Sequence, residues 1–148
     1  MKSVYSFLWC AVFGLLVCLP HSLRANEITV TVSADGTPGS LRSAVAAANA
    51  GDTIVFSSVL SSVTNLLTDG EITVDKDLTI IGDAIIPTLI SGNDNSRIFN
   101  IAGDVTVEIS NLVLRRGAAI ANGGAVLITD AEVIMSSVTI AASNVTGA

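Results

Sequence analysis

The sequence predicts an all-β chain wound into a parallel β-helix (a solenoid) with one α-helix capping its N-terminal end. Three observations predict it. The strand-like pieces are short, they recur at a near-constant spacing, and glycine-, asparagine- and aspartate-rich turns separate them. Strands of this length suit neither a membrane barrel nor a doubly wound sheet, and the spacing favours a solenoid over an antiparallel sandwich.

The elements follow in chain order. Lys2 opens a short basic start, and Phe7 to Leu19 is an apolar run that Pro20 breaks before Ser22-Leu23-Arg24-Ala25. A basic start, a short apolar core and a small residue before the cut describe a secretory signal peptide over residues 1–25, with cleavage after Ala25. Val17 is bulkier than the small residue a lipoprotein site at Cys18 requires. Residues 26–56 read as a capping strand and helix. Ile28 to Val32 alternates apolar and polar, and Asp35-Gly36 turns the chain. Thr37 before Pro38 predicts the N-cap, and Leu41, Ala44, Val45 and Ala48 form one apolar helix face. Asn49-Ala50-Gly51 ends that helix.

Residues 57–148 read as the first coils of the solenoid. Thr53 to Phe56, Ile72 to Val74, Leu78 to Ile81 and Thr88 to Ile90 are strand-like, as are Ile98 to Ile101, Val105 to Ile109 and Leu112 to Leu114. Ala125 to Ile128, Val133 to Met135 and Val138 to Ile140 complete the set. The stretch from Asp104 aligns with that from Asp130 at an offset of 26, matching Val107 with Val133, Ile109 with Met135, Leu112 with Val138, and Leu114 with Ile140. Upstream, Leu78 and Ile80 match Val107 and Ile109 at an offset of 29. Turns that absorb a few residues while the inward letters stay in step fit coils stacked at about 4.8 Å. Gly103, Gly117, Gly123, Gly124 and Gly147 suit the bends, and Asn93, Asn122 and Asn144 suit turns, although their unequal spacing is no regular ladder.

Composition narrows function more than it names one. Half of the 148 residues are apolar and 14% charged, yet no apolar run reaches the ~18 residues of a spanning helix. The formal charge of −6 argues against nucleic acid or an anionic membrane surface as partner. Cleavage removes Cys10, Cys18 and His21, leaving five basic residues against 13 acidic ones, a net charge of −8. Without Cys or His, the exported chain builds no disulfide, zinc site, Cys–His nucleophile or Ser–His–Asp triad.

Ile28 to Phe56, and within it Gly39-Ser40-Leu41-Arg42-Ser43-Ala44-Val45, resembles the N-terminal module of bacterial secreted β-helix proteins with a CSLREA-type motif. DLTIIG, ISGNDNSRIFNI and NGGAV resemble that family's first coils, so the resemblance covers essentially the whole exported chain. It implies a right-handed, pectin-lyase-like β-helix, akin to polymorphic outer-membrane proteins and other autotransporter passengers, placed in the medium or at the bacterial cell surface. Two positions depart from the motif. Gly39 stands where Cys is frequent, and Ser43 stands where an acid usually follows Arg42. The chain stops at Ala148 in mid-repeat, so it is expected to be the N-terminal part of a longer protein or a truncated gene. The expected C-terminal coil is uncapped and open to self-association.

The chemistry offers candidates and a bland reading for each. Asp75 and Asp77 could be a hydrolytic carboxylate pair, but Lys76 between them reads as a solvated turn. Gly92-Asn93-Asp94-Asn95 offers oxygen ligands for calcium without the spaced acidic pattern of a loop site, and reads as a turn. Arg115-Arg116 could hold a lyase's proton-abstracting arginine but reads as a surface turn. Arg42 reads as a helix-face residue bonding strand-end carbonyls. Asn144-Val145-Thr146 is a chance glycosylation sequon. No catalytic, cofactor-binding or metal residue is expected. The expectation is a non-enzymatic, adhesin-like rod whose partner is a carbohydrate or a cell-surface molecule. The alternatives are a polysaccharide lyase or hydrolase with catalytic coils beyond Ala148, or a non-functional fragment.

Overall fold

The computed structural model describes residues 25–145. The predicted signal segment, Ala25 apart, and Thr146 of the sequon lie outside them. In chain order the elements are β1 (Glu27–Val30), α1 (Leu41–Ala47), β2 (Asp52–Phe56), a 3-10 turn (Ser58–Leu60), β3 (Thr64–Leu66), β4 (Ile72–Val74) and β5 (Leu78–Ile81). Then follow β6 (Thr88–Ser91), β7 (Phe99–Ala102), β8 (Thr106–Ser110), β9 (Leu112–Arg115) and β10 (Ala118–Ala119). The last are β11 (Val126–Thr129), β12 (Glu132–Ser136), β13 (Thr139–Ala141) and β14 (Asn144–Val145).

The strands wind into a parallel β-solenoid of about five turns. Its first sheet runs β1-β2-β5-β8-β12, its second β3-β6-β9-β13 and its third β4-β7-β11, while β10 pairs with β14. Register follows the sequence repeat. Leu78 pairs with Val107 and Ile80 with Ile109, Val107 with Val133 and Ile109 with Met135, and Leu114 with Ile140. Alternation along each strand turns these letters inward. Ile54, Ile80 and Ile109 stack as one buried column, and Ile90 and Leu114 as another. Burying each such side chain contributes roughly 1.5–3 kcal/mol.

The first coil is irregular. β1 lies on β2 in the first sheet, and Ala34 bridges Leu66 at the edge of the second. Helix α1 packs on β1 and β4, so it stands where the third sheet would otherwise begin. Its Leu41, Ala44 and Val45 are buried, together with Ala48 at its end. The N-cap is Ser40, not Thr37: Ser40 Oγ accepts from Ser43 N at 3.2 Å, whereas Thr37 Oγ1 donates to Ala34 O. The Thr37-Pro38-Gly39 segment turns instead, and Gly39 O accepts from Thr31 N and Val32 N. Ser43 closes the same helical start through its hydroxyl, which donates to Ser40 O.

β3, β10 and β14 were not legible in the sequence. In β3 the inward residue is Asn65, which is buried and donates from Nδ2 to Leu89 O at 3.1 Å, so the apolar alternation is missing there. β10 and β14 have two residues each, too short for any periodicity.

Candidate functional site

The sequence candidates separate in space. Asp75 is exposed, with Lys76 Nζ 3.9 Å away, and Lys76 donates to Ala48 O at the end of α1. Asp77 is exposed too and accepts from Thr106 N one coil on, at 2.8 Å. In the Gly92–Asn95 turn, Asn93 and Asp94 are left-handed at φ 57° and 54°, and Asp94 is engaged by Arg116 at 2.8 and 2.5 Å. Arg115 points elsewhere, along the second sheet, to donate to Thr64 Oγ1 at 3.0 Å. The neighbouring arginines are therefore parts of two different contacts.

Arg42 does bond strand-end carbonyls, those of Glu71 at 2.9 Å and Gly70 at 2.6 Å. Its other edge makes a two-point contact with Asp35, 2.9 Å at each oxygen. Asp35 Oδ2 also accepts from the Thr68 and Asp69 backbone amides. Burial pushes the Asp35 carboxyl up, but the Arg42 hydrogen bond, the two amides and the Arg42 charge outweigh it and lower its pKa to about 2. This cluster pins the helix to the stack.

The group of polar residues facing a hollow lies further along, at the start of the third sheet. Glu71, just before β4, and Arg97, just before β7, are 26 residues apart, so the coil repeat sets them side by side. Arg97 Nε donates to Glu71 Oε2 at 2.6 Å, and Asn100 Nδ2 donates to Glu71 Oε1 at 2.9 Å. Arg97 also reaches the Ala121 and Asn122 carbonyls of the next coil. Beside them opens a cavity of about 410 Å³, lined by Glu71, Asn95, Ser96, Arg97 and the segment Ala118 to Ala121. One wall is ionic and polar, the other is alanine backbone and methyl, and Ile120 stands 80% exposed among the lining residues.

Burial pushes the Glu71 carboxyl up, but hydrogen bonds from Arg97 and Asn100 and the Arg97 charge outweigh it and hold the carboxyl below its ordinary range. Glu71 is therefore an acceptor at neutral pH, not a proton donor. It is also the one carboxylate of the lining, whereas glycoside hydrolysis by paired carboxylates needs two. The arrangement offers a fixed acceptor beside a fixed cation, with each Glu71 oxygen already taking one hydrogen bond from within the stack. Sequence reasoning passed over it because Glu71 and Arg97 lie far apart in the chain. The coil repeat is the signal that would have joined them.

Comparison of the chain with protein-family models, with curated proteins and with solved structures finds no match. The resemblance carried by Gly39 to Val45 thus rests on those residues themselves.

Proposed function

We propose that this chain is an exported, non-enzymatic β-solenoid segment, an adhesin-like passenger of the bacterial surface, that binds carbohydrate through the Glu71–Arg97 cavity. The observation that carries the reading is the cavity's chemistry: a carboxylate already ionised and held by Arg97 and Asn100, facing an alanine wall. Such a site recognises hydroxyl groups without a proton to give. Parallel coils in register supply the stiffness that a displayed site needs. Export rests on the basic start, apolar core and Ala25 of the N-terminal segment, and family membership on the motif around Leu41-Arg42.

Titration with neutral and uronate-containing oligosaccharides, followed by calorimetry and by assay for new reducing or unsaturated ends, tests the reading. Saturable binding without product is expected, and Arg97→Ala and Glu71→Gln each weaken it at least tenfold. Product formation, or binding indifferent to both substitutions, overturns it.

A further inference from the structure

Asn122 is the one asparagine of the chain that is followed by glycine. It is exposed and stands in the bend between β10 and β11, outside every strand. Asn122 and Gly123 are both left-handed, at φ 25° and 64°. Among the described residues, no hydrogen bond ties down the Asn122 side-chain amide or the Gly123 N–H. A strand would commit that N–H to its ladder. One contact does hold the bend, and it runs through the main chain: the Asn122 carbonyl accepts from Arg97 Nη1 at 3.1 Å, beside the Ala121 carbonyl at 3.3 Å.

Those features meet the needs of one reaction. The Gly123 nitrogen attacks the side-chain carbonyl carbon of Asn122, and no side chain on Gly123 obstructs the approach. The nitrogen's proton and the side-chain amino group leave as ammonia, and a cyclic imide forms. Water then adds at one ring carbonyl and breaks its bond to the Gly123 nitrogen, which regains a proton. Opening at the side-chain carbonyl gives aspartate. Opening at the main-chain carbonyl gives isoaspartate, in which the chain runs through the former side chain and the former main-chain carbonyl is a free carboxylate. That carbonyl is the group Arg97 holds.

We propose that Asn122 is a site of spontaneous deamidation whose isoaspartate product sets a second carboxylate on Arg97, in competition with Glu71. Arg97 Nε already donates to Glu71 Oε2, and its other edge meets only neutral carbonyls before the reaction. A charged acceptor in place of one of them strengthens that edge at the expense of the first. Asn122 directly follows the segment that walls the cavity, so the change falls on the cavity's cation. The reaction needs no ligand and stands apart from the carbohydrate reading.

Peptide mapping by mass spectrometry, after the purified full chain is kept in mildly alkaline buffer, tests the first half. Asn122 should convert at least tenfold faster than Asn93, Asn95 or Asn144, which are exposed too, and chiefly to isoaspartate. Carbon-13 NMR of the glutamate carboxyls tests the second half. In the isoaspartate form Glu71 should titrate at higher pH than in the fresh chain, because it shares its cation and faces a new negative charge. Asn122→Gln, whose longer side chain closes the ring poorly, should keep both its mass and its Glu71 titration over the same period. Conversion no faster than at the other three asparagines, conversion to aspartate alone, or an unmoved Glu71 titration in the isoaspartate form overturns the proposal.

Discussion

Asp35 and Arg42 show how one ion pair fixes the closed end. The Asp35 side chain is only 1% exposed, and its oxygens meet a guanidinium and the amides of Gly36, Thr68 and Asp69. A carboxyl whose folded pKa lies near 2, below its ordinary 3.8, adds stability above the ordinary value and loses it as pH falls toward 2. Asp35→Asn should therefore cost about 2 kcal/mol near neutral pH, with the difference from the parent shrinking below about pH 4. Urea unfolding of both chains from pH 7 to pH 2 measures this, and a difference independent of pH would contradict it. Gly82 tests stacking at the same scale. A Cβ there would lie 2.1 Å from the Asn111 carbonyl oxygen of the next coil, so Gly82→Ala should destabilise by about 1–3 kcal/mol. An unchanged unfolding midpoint would show that the coils stand further apart.

Each strand contributes one rung to a column, and its value depends on whether another rung lies on both sides. Leu114, between Ile90 and Ile140, is fully buried. Leu114→Ala should cost about 2–5 kcal/mol. Ile140 holds the same column position one coil later, yet Ile140→Ala in a dilute, single-chain sample should cost well under half as much. Equal losses would mean that the last coil is covered as fully as the one before it. The elements legible in the sequence were those with inward apolar letters: β4 and β5 match their predicted bounds, and the repeats of 26 and 29 became the registers of β8 with β12 and β5 with β8. β3 was hidden because buried Asn65 replaces the apolar letter with a side chain that bonds the next coil. The helix start shifted because the Ser40 hydroxyl, not that of Thr37, reaches a free amide. The Glu71–Arg97 cavity was hidden for a different reason, since it joins three coils and belongs to no single element.

For the whole molecule, the central claim is a parallel stack in which each turn of the chain adds one rung. Thr53, Thr79, Glu108 and Ile134 form an outward column on the first sheet, each paired with the next. The most direct measurement is electron paramagnetic resonance on nitroxide pairs in a chain without Cys10 and Cys18, diluted with unlabelled protein. One label stays at Thr79, and the second is placed at Thr53, Glu108 or Ile134. Neighbouring coils should give the shortest separations at Thr53 and Glu108, and Ile134 should lie about 5 Å further, one rung beyond Glu108. A Thr79–Ile134 separation equal to or shorter than that of Thr79–Glu108 would contradict the stack.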